Sequence, residues 1–300
     1  MFYPLGLDEV VMQFTMSVAM SQPRDYAALA QTAEECGFDQ IAVPDSIFWS
    51  EQVSDAYPYT RDGSRLWTEA TPFIDPFMAV ATMAPVTDRI RFCTHVVKVG
   101  VRDAVLLAKQ VQSAAVLTNG RFTFGAGVGW LREEFEWCGQ RFEQRGARVD
   151  EELEAVQQLM TGDWAEMNGD HVRFGRIRMA PAPPGPVPIY VGGHTEPALR
   201  RTVRFADGWT SAMITYDELR DLIPNVNGML RAAGRDPDGF TFQVASSDRF
   251  GLDGYRDLGS IGVTDVVTIP WVFYGVPLDG PLDAKQDGIR RFAKDVIEQW

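Results

Sequence analysis

Eight times along this chain a short apolar run meets a turn signal and is followed by a segment of helical periodicity. No other feature constrains the fold as much. Parallel strands cannot be joined by tight hairpins, and a helix is their usual crossover. The runs expected as strands are 10–18, 38–43, 90–97, 121–124, 188–191, 207–212, 240–245 and 262–269. Pro23 opens the first helix, with Tyr26, Leu29, Ala30 and Ala33 on one face, and Gly37 closes it. Asp75-Pro76 and Asp103 open the next two. The segment 143–160 carries Val149, Leu153, Val156, Leu159 and Met160 on one side. The last helix is expected over 282–297. The class is α/β, and eight βα units fit either a (β/α)8 TIM barrel or a doubly wound sheet. The rhythm runs nearly end to end, so one domain over 1–300 is expected, although 300 residues could also make two.

Two stretches interrupt the rhythm. Residues 45–72, after the second strand, lack clean periodicity and carry Phe48, Trp49, Tyr57, Tyr59 and Trp67. A long aromatic-rich connection reads as a loop folded over a site rather than as disorder. Residues 164–179 alternate apolar and polar side chains around Gly175, which suggests a β-hairpin inserted after the fourth βα unit. The proline-rich run 181–186 then leads back into the rhythm as a connector.

The fourth strand runs into Gly125, Gly127 and Gly129, followed by Trp130 and a charged helical segment. A strand ending in glycines before a helix is where α/β proteins bind ligands. A dinucleotide fingerprint needs a small residue at its last glycine position, for close helix–strand packing. Trp130 stands there and argues against the dinucleotide fold, which leaves the barrel as the expected architecture.

The formal net charge is −13 and no Lys/Arg cluster exceeds a local pair, so nucleic acid is not an expected partner. The three cysteines, Cys36, Cys93 and Cys138, form neither a disulfide framework nor a metal-binding spacing. They read as free thiols, and no metal is expected. The N-terminal segment lacks the features of a secretory signal, and no apolar run is long enough to span a membrane. A cytoplasmic protein without membrane association is expected.

The segment 121–161, with GAGVGWLREEFEWCGQRFEQRGARVDEELE, resembles the luciferase-like monooxygenase superfamily. It is most similar to the branch of coenzyme F420-dependent oxidoreductases. GFDQIAVPDS, TPFIDPFMAVATMAPVTDRIRF, LLAKQ, VPIYVGGHTEPALRR and FADGW follow the same order, and the pieces together cover most of the chain. The resemblance implies a TIM barrel with an insertion, holding a flavin or deazaflavin at the C-terminal ends of its strands. It implies that Gly192, Gly193, His194 and Thr195 hold the cofactor phosphate. That reading agrees with a helix N-terminus as an anion site, with Thr195 as N-cap and Arg200 or Arg201 adding charge. It also implies that Val128, Gly129 and Trp130 lie beside the ring, and that a non-prolyl cis bond at His95–Val96 forms a bulge against it.

Two departures stand out. Many relatives have Asp-His where this chain has Asp45-Ser46, and sugar-phosphate dehydrogenases of the branch have an acidic residue at Trp130. Ser46 has no evident activator for proton transfer. His95, with an ordinary pKa near 6.5, is therefore the best remaining acid/base candidate. Asp45 either binds substrate or caps a strand end. Glu133, Glu134, Arg145 and Arg148 read as local ion pairs and caps, and His171 as a solvated hairpin residue. Trp49, Trp67 and Trp271, with Tyr57, Tyr59 and Phe273, either line an apolar substrate pocket or pack in the core. The expected activity is hydride transfer between F420 and a small apolar organic molecule. An FMN-dependent monooxygenase using O2 is the alternative, and a flavin-binding protein without turnover a third. Relatives are often dimers, so a homodimer is the expected assembly if one forms.

Overall fold

The computed structural model describes residues 12–300. The start of the first expected strand, Val10 and Val11, and the N-terminal segment lie outside the described residues. The strands are Gln13–Ser17, Gln40–Val43, Arg91–Thr94 with its continuation Val97–Lys98, Phe122–Gly127, Ile189–Gly192, Gly208–Thr210, Thr241–Val244 and Asp265–Thr268. All pair in parallel, and the first pairs with the last through Gln13–Asp265 and Phe14–Val266. The result is a closed eight-stranded (β/α)8 TIM barrel. Closure leaves no open sheet edge. Apolar side chains on the outer faces of the strands, such as Phe14, Phe92, Phe124 and Trp209, join those of the surrounding helices in one continuous core.

The two interruptions are where the periodicity placed them. Residues 44–75 contain neither helix nor strand. The inserted hairpin pairs Ala165–Asn168 antiparallel with Arg173–Ile177. Its turn lies between those strands, at Gly169 to Val172, and not at Gly175. The reason is that Glu151 accepts the N–H groups of Asp170, His171 and Val172 and fixes the reversal there.

The third strand is broken. Cys93 pairs with Thr123 and Val97 with Ala126, so four steps on one strand match three on the other. The surplus residue makes a bulge, and the His95–Val96 peptide within it is cis. Thr94 replaces the missing ladder bonds. Its hydroxyl donates to Gly125 O at 2.7 Å and accepts from Gly125 N at 2.9 Å.

The barrel interior is polar below the mouth. The Asp265 carboxylate accepts from Thr15 Oγ1 at 2.7 Å and from Gln243 Nε2 at 2.7 Å, and Gln243 also donates to Gln40 Oε1 at 3.0 Å. Desolvation raises the Asp265 carboxyl to about 7, against the opposing pull of those hydrogen bonds. The folded state then holds a proton that the unfolded state releases, so this contribution to stability is complete at low pH and is lost as pH rises towards 7. Asp265→Asn lacks the titration. Between about pH 4 and 7 the stability of the variant relative to the parent should therefore rise with pH, by at most roughly 4 kcal/mol. Urea unfolding of both proteins across that range measures it. A constant difference would show that Asp265 does not titrate in the window.

Candidate functional site

The C-terminal ends of the strands and the loop over residues 45–74 enclose a cavity of about 640 Å³. Its floor is the bulge. The Val96 side chain lies against bare backbone, because a Cβ at Gly127 would come within 2.6 Å of Val96 Cγ2 and one at Gly192 within 3.5 Å. Two glycines on neighbouring strands thus leave a flat, apolar wall beside Val96.

At one end the cavity meets two helix N-termini. Gly193, at φ 121°, turns the chain from the fifth strand into the helix Glu196–Phe205. A Cβ there would meet Ala198 at 2.8 Å. Thr195 takes the N-cap position in extended geometry but makes no side-chain capping bond. The helix Arg145–Met160 starts from Gln144 in left-handed geometry, also without a side-chain cap. Both ends therefore offer first-turn N–H groups and the positive end of the helix dipole to the cavity. Arg201 ties the two together through Asp150 Oδ1, at 2.5 Å, and Gly146 O, at 2.9 Å. Arg145 stacks on Phe142, with its guanidinium carbon 3.7 Å from the ring centroid. Its hydrogen bonds go to the carbonyls of Gly129 and Phe142. Among the described residues it has no carboxylate within ion-pair distance. Arg145 is thus no local ion pair, contrary to expectation. Arg200 pairs with Glu196 on the surface and takes no part in the site.

A second group of charges lies beside the bulge. Arg102 grips Asp45 with two bonds, 2.8 and 2.9 Å, and Lys98 N donates to Asp45 Oδ2 at 2.9 Å. The Asp45 side chain is 2% exposed. Its carboxylate therefore fixes the restart of the third strand, at the edge of the cavity. Lys98 Nζ donates to Glu134 Oε1 at 2.5 Å, and Glu134 is fully buried. Ser46 lines the cavity.

The His95 ring faces the cavity, and Nε2 lies 3.1 Å from Ser211 O. A carbonyl only accepts, so the proton is assigned to Nε2 and Nδ1 is left as an acceptor. Desolvation lowers the imidazole pKa to about 4, although the Ser211 bond opposes the shift. His95 is consequently neutral at pH 7. This departs from the ordinary pKa expected of a strand-end histidine, whose burial only the fold creates.

The loop supplies an aromatic roof. Tyr57 meets Trp130, Tyr59 and Trp67 edge-on at 5.3, 5.4 and 5.1 Å. Tyr59 meets the His194 ring at 5.6 Å. Burial raises Tyr57 to about 12, so it stays neutral. Trp67 lines the cavity, as do Val128, Gly129 and Trp130. Trp49 and Trp271 do not. Trp49 lies under the Arg65 guanidinium, 3.1 Å from its ring centroid, within the loop. Trp271 is fully buried against Gly288 of the last helix. Phe273 packs on Phe250 and Phe292 and is not among the residues lining the cavity. Among the described residues no group of His, Cys, Asp or Glu could hold a metal ion, and no helix is long and apolar enough to cross a membrane.

The profile of luciferase-like monooxygenases matches residues 10–247. The Mycobacterium tuberculosis protein Rv0940c, itself uncharacterized, is 39% identical over 287 residues, covering 95% of this chain and 99% of that one. An F420-dependent glucose-6-phosphate dehydrogenase from Gordonia bronchialis is 27% identical over 237 residues, covering 76% of this chain and 65% of its own. Two solved structures share the fold at low identity. The coenzyme F420-dependent tetrahydromethanopterin reductase from Methanopyrus kandleri superposes with a TM-score of 0.73 at 15% identity, over 97% of this chain and 99% of that one. The monooxygenase RslO1 from Streptomyces bottropensis superposes with a TM-score of 0.76 at 17% identity, over 96% and 99%. The barrel, the bulge and the profile match agree: the chain belongs to the luciferase-like monooxygenase family.

Proposed function

We propose that this protein is an F420-dependent oxidoreductase that moves a hydride between the deazaflavin and an apolar organic substrate. The observation that carries the proposal is the pairing, within one cavity, of a flat glycine-backed wall at Val96 with a cationic cradle at Gly192–Thr195 and Arg145. A planar ring fits the first and a phosphate the second. The cavity volume is within the range of sites that enclose both a ring and a small ligand. Val128, Gly129 and Trp130 flank the ring in this reading, and His194 backs the cradle. The F420-dependent relatives favour F420 over FMN.

Bound there, the deazaflavin supplies the hydride chemistry. The residues of the chain bind, orient and exclude water. Asp45 and Arg102 hold the bulge in place. His95 is neutral and leaves Nδ1 as an acceptor. Trp67, Tyr57 and Trp130 form an apolar roof that shields the reacting atoms from solvent and selects a substrate with an apolar body.

Fluorescence titration of the cofactor-free protein tests the assignment. F420 should bind at least about tenfold more tightly than FMN, roughly 1.4 kcal/mol. Binding of FMN alone would overturn it in favour of an FMN-dependent monooxygenase using O2. That second reading draws on the match to RslO1. F420 binding without turnover across a substrate panel would reduce the protein to a cofactor-binding role.

A further inference from the structure

Hydride delivery to a polarised double bond leaves a lone pair on the heteroatom, and something in the cavity must protonate it. Ser46 lines the cavity without an evident activator, and four other polar lining groups have their protons engaged or fixed. The His95 Nε2–H is engaged by Ser211 O. The Asp45 carboxylate is held by Arg102 and by Lys98 N. Arg145 and Arg201 carry guanidinium protons that are not released in proteins.

Lys98 differs from all of these. It follows the bulge by two residues, so it shares the face of the strand with Val96, and it lines the cavity. Its stem passes Gly129, where an added Cβ would lie 3.6 Å from Lys98 Cβ. Its side chain is 10% exposed. Among the described residues the only hydrogen-bond partner of its Nζ is Glu134 Oε1, so two of the three N–H bonds of the ammonium have no protein acceptor. Glu134 is fully buried, also accepts from Ile47 N at 3.1 Å, and has no partner for Oε2. A cavity-lining lysine, fixed at its tip by a buried carboxylate and with two donors unspent, is placed to bind a substrate oxygen.

We propose that Lys98 is the proton donor of this site, that Glu134 is the residue positioning it, and that the substrate is a carbonyl compound with an apolar body. The inference rests on the oxidoreductase reading above. In the forward direction the carbonyl carbon would receive a hydride, two electrons and a proton, which a reduced deazaflavin would supply. The C=O π pair moves onto oxygen, and that oxygen forms a new O–H bond with a proton from Lys98 Nζ. The broken N–H bond leaves its pair on nitrogen, and a solvent proton restores the ammonium beside Glu134. Alcohol oxidation runs the same steps in reverse.

The test begins without cofactor. Tryptophan fluorescence is titrated with acetophenone and with ethylbenzene, which has a similar shape but no carbonyl oxygen. The parent protein should prefer acetophenone by about tenfold, the worth of one charge-assisted hydrogen bond. The double variant Lys98→Met, Glu134→Gln removes the ion pair without leaving a buried charge, and should lose that preference. Equal binding of the two ligands by the parent, or a preference that persists in the double variant, would overturn the assignment. Lys98→Arg keeps the cation but not a transferable proton. With reduced F420 and acetophenone, its single-turnover rate should fall at least about a hundredfold while F420 affinity is unchanged. A matching fall in F420 affinity would place Lys98 in cofactor binding instead. Failure of F420 binding by the parent would count against the oxidoreductase reading, whereas the ligand preference tests Lys98 independently.

Discussion

Arg145→Glu should weaken binding of F420 or FMN about a hundredfold and leave thermal unfolding almost unchanged. The magnitude follows from losing a charge-assisted bond to phosphate, about 1.5–3 kcal/mol, and adding repulsion at the same point. The tolerance of the fold follows from what Arg145 does without ligand. Its guanidinium stacks on Phe142 and reaches two carbonyls at 3.3 and 3.5 Å, with no carboxylate to abandon among the described residues. Arg201 would be a poorer choice, because Asp150 and Gly146 depend on it and its loss would disturb both helix ends. Gly193→Asp is ambiguous for another reason. The residue sits at φ 121° and an added Cβ would strike Ala198, so strain and charge would act together. Titration of Arg145→Glu and the parent with both cofactors, beside melting curves, separates binding from folding. An affinity within threefold of the parent would remove the cradle from the phosphate assignment.

The barrel was legible because its signals are periodic. Strand runs recur in every unit, and N-caps such as Asp75 and Asp103 and closing glycines such as Gly37 and Gly120 mark several of them. Long-range partners were not legible in that way. Asp45 reads alone as a catalytic candidate, and only the fold brings Arg102 onto it from 57 residues away. Lys98 sits in an apolar run and reads as the end of a strand. The bulge that turns it towards the cavity depends on a register between two strands, which no single segment contains. Arg145 and Arg148 look equivalent in sequence, yet Arg148 faces Glu152 on its own helix and Arg145 faces the mouth. Aromatic residues posed the opposite problem. Trp49, Trp67 and Trp271 are the same type, and facing decides which of them meets a ligand. The loop as a whole still declared itself, since so many aromatic side chains in an irregular stretch need something to pack on.

Gly125→Ala should destabilise the protein by at least about 3 kcal/mol, at the severe end of overpacking. A Cβ at this position would lie 1.7 Å from Thr94 O and 2.9 Å from Thr94 C, both backbone atoms of the neighbouring strand. No rotamer change relieves such a contact, so the third and fourth strands must part. Parting them stretches both bonds between the Thr94 hydroxyl and Gly125, inside a fully buried part of the sheet. Gly127→Ala is the informative contrast. Its clash, at 2.6 Å, is with Val96 Cγ2, the end of a side chain. Val96 can shift, but only towards the space assigned to the ring. Gly127→Ala should therefore cost less stability than Gly125→Ala and more cofactor affinity per unit of stability lost. Denaturant midpoints and cofactor titrations on the two variants give both quantities. If Gly125→Ala unfolds at the parental midpoint, the close approach of the strands at Thr94 is wrong, and the bulge that carries His95, Val96 and Lys98 to the cavity is wrong with it.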